Sequence, residues 1–147
     1  MKKLFAISAA LFLSSAIFAQ NAQTKPDDIA KFTEVNHNFG KIKQGVPVTY
    51  YFEFKNVSDK PIVVENAHSS CGCTVPERPE APVAPGETAK LKIVYNAAAL
   101  GPINKEIFVK FAGVDIQKVL LITGEVVSEQ SANTGAAKNP QGARNQR

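Results

Sequence analysis

From about Phe32 onward, apolar and polar residues alternate with period two, the mark of strands that bury one face. The clearest run sets Val48, Tyr50, Phe52 and Phe54 against Thr49, Tyr51, Glu53 and Lys55. A second places Ala89, Leu91, Ile93 and Tyr95 opposite Lys90 and Lys92, and a third places Ile107, Val109 and Phe111 opposite Glu106 and Lys110. Phe32 and Val35 begin a strand that Asn36-His37-Asn38 interrupts and Phe39 to Ile42 resumes. Ile62, Val63 and Val64 carry another towards His68, and Thr74-Val75 is a short extended piece. In the last strand, Val119 to Val127, the run Leu120-Leu121-Ile122 is apolar enough to predict cover on both faces.

Turn chemistry separates these runs. Gln44-Gly45, Asn56 to Pro61 and Ala112-Gly113 have the residues that turns favour. Pro85-Gly86 fits the central positions of a type II turn, where proline presets the first φ and glycine accepts a positive second one. The four prolines from Pro76 to Pro85 predict a rigid irregular connection or an edge, because proline cannot donate to a ladder. Asn96 to Pro102 reads as a loop in which Ala97 to Leu100 suit a single helical turn. Seven short strands without a convincing helix indicate a β-sandwich. The roughly 100 residues involved suffice for one two-layer domain.

The ends read differently. Lys2 and Lys3 precede an apolar run from Leu4 to Leu13, and Ala16-Ile17-Phe18-Ala19 closes the segment. This is the pattern of a secretory signal peptide over residues 1–19, with cleavage expected after Ala19. The run is shorter than the ~20 apolar residues that span a bilayer, and no second stretch of that length follows. The expectation is an exported protein, periplasmic or extracellular, without an integral membrane segment after cleavage. Residues 20–30 read as a linker and 31–127 as the domain. Residues 128–147 are mostly Ser, Gln, Asn, Ala and Gly with one Pro and no aromatic or β-branched apolar residue, so a disordered tail is expected. The net charge of +4 sits at these ends, since the 12 basic and 12 acidic residues between Gln20 and Val127 cancel. Nucleic acid is therefore not an expected partner.

Reactive chemistry is confined to His68-Ser69-Ser70-Cys71-Gly72-Cys73-Thr74. An even cysteine count in an exported chain suggests a disulfide. On a regular strand, however, residues two apart lie about 6.5–7 Å from each other, at the edge of the ~4.4–6.8 Å that a disulfide spans. Closure needs a bend, which Gly72 permits. Cys71, Cys73 and His68 are also soft ligands suited to Cu(I) or Zn, although zinc sites space their cysteines more widely and add a second ligand pair. A redox pair takes the form Cys-x-x-Cys at a helix N-terminus, and here the spacing is shorter and the helix is lacking. Spacing leans towards free thiols packed as small hydrophobes. His68 reads as a polar residue at a strand end, and His37 as part of a turn or strand interruption. The chain carries no Gly-x-Ser-x-Gly, P-loop, His-Glu-x-x-His or dinucleotide fingerprint, so no catalytic residue and no cofactor is expected.

The order Phe39-Gly40-x-Ile42, Gly45, Asn56, Cys71-Gly72-Cys73-Thr74, Pro85-Gly86-Glu87, Tyr95, Gly101 and Gly124-Glu125-Val126 resembles an exported bacterial family of unknown function. That family is similar to the immunoglobulin-like domains of Hydin and of the major sperm protein superfamily. The resemblance implies an immunoglobulin-like fold and no established catalytic residue, cofactor or substrate. It favours a non-enzymatic module that binds an unidentified protein or envelope component, or helps to build an envelope structure. The alternative is a small Cu/Zn-binding or thiol-redox protein working through His68, Cys71 and Cys73.

Overall fold

The computed structural model describes residues 23–129. The signal segment and all but the first two residues of the expected tail lie outside the described residues. Eight strands form two four-stranded sheets packed face to face: β1 (Ala30–Phe32), β2 (Asn36–Lys43), β3 (Val48–Asn56), β4 (Val64–Ser69), β5 (Thr74–Glu77), β6 (Thr88–Tyr95), β7 (Gly101–Phe111) and β8 (Lys118–Val127). The first sheet runs β1-β3-β6-β5 and the second β2-β8-β7-β4. The named pairs are antiparallel except β2 with β8, which is parallel.

The alternation does what its period requires. Phe52 and Phe54 on β3, Leu91, Ile93 and Tyr95 on β6, and Ile107, Val109 and Phe111 on β7 all turn inward and are buried. Phe54 joins the sheets, with its ring 5.1 Å from Phe32 and 5.7 Å from Phe111. On the outer face of the first sheet, Lys90 pairs with Glu53 at 2.9 Å and Lys92 with Glu77 at 3.0 Å. Such exposed pairs add little stability.

Several expectations are corrected. The β-sandwich stands, with eight strands among the described residues where the pattern indicates about seven, but the chain breaks at Thr33-Glu34-Val35 and crosses between sheets there, while Asn36-His37-Asn38 lies within β2. Crossing lets Phe32 complete one sheet and Phe39 line the other. The segment read as a linker contains a one-turn helix, α1 (Pro26–Ile29), and ends on Ala30, which is fully buried and pairs with Asn56. Ala97 to Leu100 form no helical turn, and β7 already begins at Gly101. β8 is not covered on both faces: Val119 is exposed and Leu121 half-buried. At the tail's start, Glu129 pairs with Lys43. The Pro85-Gly86 turn is present, with Gly86 at φ 78° and the Glu87 N–H donating to the Ala84 carbonyl at 3.0 Å.

Candidate functional site: the disulfide pole

At one end of the sandwich β2, β4, β6 and β8 stop and β3, β5 and β7 start, so three loops meet: 44–47, 70–73 and 96–100. Backbone bonds fasten them together. The Asn96 N–H donates to the Cys73 carbonyl at 3.1 Å, and the Gly45 N–H donates to the Ala97 carbonyl at 2.9 Å. The Gln44 carboxamide adds a bond to the Ala98 carbonyl at 2.9 Å. Ala97 is central to this lacing. Its backbone lies at φ 51°, a conformation few residues other than glycine adopt, while its methyl group is fully buried in the core. The surrounding bonds hold it there: the Ala98 N–H donates to Asn96 Oδ1 at 3.2 Å in a local turn. The surface so formed displays Val46, Leu100 and, on the flank just below, Val75, all about half exposed.

The loop 70–73 carries the cysteines, and they are bonded to each other. The expectation of free thiols is overturned. Cys71-Gly72-Cys73-Thr74 is a tight turn closed by the Thr74 N–H donating to the Cys71 carbonyl at 3.4 Å. It draws the two Cα atoms to 5.4 Å, well inside the disulfide range, where an extended strand would hold them apart. Cys73 packs against the core, and Thr74 Oγ1 lies 3.9 Å from Cys71 Sγ and 4.0 Å from Cys73 Sγ.

The bridge occupies both thiolates of the proposed ligand set. His68 lies on the outer face of the second sheet, exposed and stacked on Phe108 with ring centroids 5.2 Å apart. Among the described residues, no three of His, Cys, Asp and Glu gather as metal ligands.

His37 occupies a position that its sequence neighbours conceal. It belongs to β2, points between the sheets and stacks on Tyr50 of β3, with centroids 3.5 Å apart and planes at 10°. Glu34 Oε1 lies 3.0 Å from His37 Nδ1. The Tyr50 phenol is held above its ordinary value, first by burial, then by a hydrogen bond to Glu34 and the negative charges of Glu34 and Glu53. No sequence motif announces this group, since Tyr50 reads as one more inward residue. Only the return of β3 alongside β2 assembles it.

Two sheets of this size and order, with a strand crossover near the start, define an immunoglobulin-like β-sandwich. The identity can be drawn more narrowly. Residues 30–126 match the family described as protein of unknown function (DUF1573), and the chain belongs to that family. No curated protein matches the chain. Among solved structures it is similar to a protein of unknown function from Porphyromonas gingivalis W83, at 12% identity and a TM-score of 0.57, covering 67% of this chain and 46% of that one. It is also similar to PapD-like domain 7 of human CEP192, at 9% identity and a TM-score of 0.55, covering 73% of this chain and 92% of that domain. A third likeness is to the VesB protease of Vibrio cholerae, at 14% identity and a TM-score of 0.52, covering 67% of this chain and 32% of the protease. The chain thus spans less than half the length of the first two whole proteins it matches. At these identities the shared property is the fold.

Proposed function

We propose that this chain is an exported, non-enzymatic immunoglobulin-like module of the cell envelope that binds another protein through its disulfide pole. The observation that carries the reading is the lacing of loops 44–47, 70–73 and 96–100 into one surface. Loops at one end of a sandwich are well placed for recognition, because the sheets hold them while their sequences stay free to vary. A loop already fixed by hydrogen bonds loses little entropy when a partner docks. A strained residue such as Ala97 persists only where its surroundings determine it, and such residues cluster at functional surfaces.

The exported part of the reading is supported by the secretory pattern at residues 1–19 of the sequence. The test expresses the complete chain in a bacterial host and crosslinks intact cells. We expect an N-terminus at Gln20 and a reproducible crosslinked partner. A double variant Val46→Asp/Leu100→Asp should lose that partner, whereas Val57→Asp/Ile116→Asp, exposed at the other end, should retain it with the same melting temperature. Equal crosslinking by both variants, or no reproducible partner, overturns the pole as a binding surface. A chain retained in the cytoplasm with residues 1–19 intact overturns export.

A further inference from the structure

We propose that Cys71–Cys73 is an exchange-active disulfide that accepts two electrons from an exposed dithiol, with the Thr74 hydroxyl assisting the departing sulfur. This goes beyond partner binding and does not depend on it, since the chemistry requires only the bridge and its immediate surroundings.

Three features support it. First, the bridge contributes little as a staple. It closes a loop with a sequence separation of only two, where the chain entropy removed from the unfolded state is smallest. The loop is held independently by Ser70 N–H to the Glu106 carbonyl at 3.1 Å, Asn96 N–H to the Cys73 carbonyl at 3.1 Å and Thr74 N–H to the Cys71 carbonyl at 3.4 Å. All three bonds join backbone atoms, so none of them uses a cysteine sulfur. Second, the bridge is accessible and asymmetric. Ser70 and Gly72 are exposed and both cysteines half-buried, yet Cys73 leans on the core and Cys71 does not. Accessible disulfides are the exchangeable ones, and we take Cys71, the partner not packed on the core cluster, as the sulfur that is attacked. Third, Thr74 is 3% exposed and holds its Oγ1 within 3.9 Å and 4.0 Å of the two sulfurs. A hydroxyl fixed there donates to the sulfur that acquires charge when the bond breaks.

A thiolate of the incoming dithiol attacks Cys71 Sγ, the bond to Cys73 Sγ breaks, and Cys73 leaves as a thiolate facing the Thr74 hydroxyl. The second thiolate of the donor attacks its own sulfur in the mixed disulfide and releases Cys71. The donor ends as a disulfide, having lost two electrons and two protons, and Cys71 and Cys73 end as two thiols. No helix N-terminus is required, because the hydroxyl supplies the donor that a helix end supplies in Cys-x-x-Cys proteins.

The test incubates the native, complete mature protein with reduced and oxidised glutathione in varied ratio, quenches with acid, alkylates and reads the intact mass. Near-ultraviolet circular dichroism on the same samples reports the fold. Expected are a transient single-glutathione adduct, two alkylations once reduction is complete, and an unchanged dichroism spectrum. Thr74→Val should slow opening roughly three- to tenfold, as expected for losing part of one hydrogen bond to a charged group. Thr74→Ser, which keeps the hydroxyl, should restore the rate. A bridge that stays closed at every glutathione ratio, or opens only as the fold is lost, would overturn the proposal. So would a Thr74→Val protein that remains folded and exchanges as fast as the parent.

Discussion

At the scale of single residues, Asn56 is a heavily bonded side chain among the described residues. It is fully buried at the end of β3, where its carboxamide N–H groups donate to the Lys60 carbonyl at 2.7 Å and the Val83 carbonyl at 2.8 Å. Its Oδ1 accepts from the Ser58 N–H at 2.9 Å and the Ser58 hydroxyl at 2.8 Å. Its backbone bonds Glu87 and Gly86, so one residue ties the 57–63 turn to the proline-rich connection. Asn56→Ala should cost about 1–3 kcal/mol, because the buried bond to the Val83 carbonyl is lost together with the part-buried bonds to Lys60 and Ser58, although the Ile62 N–H and the Ser58 hydroxyl still reach the two carbonyls. Asn56→Asp should cost more, since it turns a carboxylate towards those carbonyls. The check is a lower urea midpoint at unchanged slope, and an unshifted midpoint for both variants would remove Asn56 from this role. The sequence shows a turn residue at this position but not its bonds, because Val83 lies 27 residues away. The same limit applied to the cysteines. Spacing on an ideal strand argued against a bridge, and the departure from a strand is a local turn that alternation cannot report.

At the scale of elements, the pairing of β2 with β8 explains an irregularity visible in the sequence. Phe39 and Ile42 are three apart, which breaks period two, yet both pack against the core. Between the pairs Asn38–Thr123 and Lys41–Glu125, β2 advances by one residue more than β8. This bulge returns Ile42 to the inner face. It brings Gly40, at φ 67°, against Gly124, at φ 148°, where a Cβ on residue 124 would sit 2.7 Å from the Gly40 carbonyl oxygen. Gly124→Ala therefore meets both a rigid backbone atom and an unfavourable φ, and should cost about 2–4 kcal/mol. Thermal unfolding measures this, and an unchanged melting temperature would show that the bulge relaxes freely. Gly45→Ala lacks the clash, since nothing lies within 4 Å of the corresponding position, and should cost less.

At the scale of the whole molecule, the His37–Tyr50 stack joins a strand of each sheet near the side where β1 and β2 form the edges. The raised Tyr50 phenol gives this junction an alkaline limit. Folding favours the protonated phenol, so its contribution is fully present below the ordinary value of 10.0 and is lost as pH rises through the higher folded value. Tyr50→Phe keeps the ring and removes the hydroxyl. The stability advantage of the parent over this variant should be constant below about pH 10 and shrink above it. Urea unfolding from pH 7 to 11 tests the sign, and a gap that widens with pH would contradict it.

What the sequence determined by itself is the architecture. A strand buries one face, so strict alternation in β3, β6 and β7 names their inward residues without knowledge of their neighbours, and the turn residues mark where the sheets reverse. Tertiary structure decided everything that depends on which strands meet. It placed the chain break at 33–35 instead of 36–38, left the outer face of β8 open, stacked His37 on Tyr50 and fastened three distant loops around Ala97. It also decided the cysteines. A pair spaced for an extended strand becomes a bridge only because the bend into β5 is anchored by Asn96 and Glu106, residues that no local pattern connects to Cys71 and Cys73.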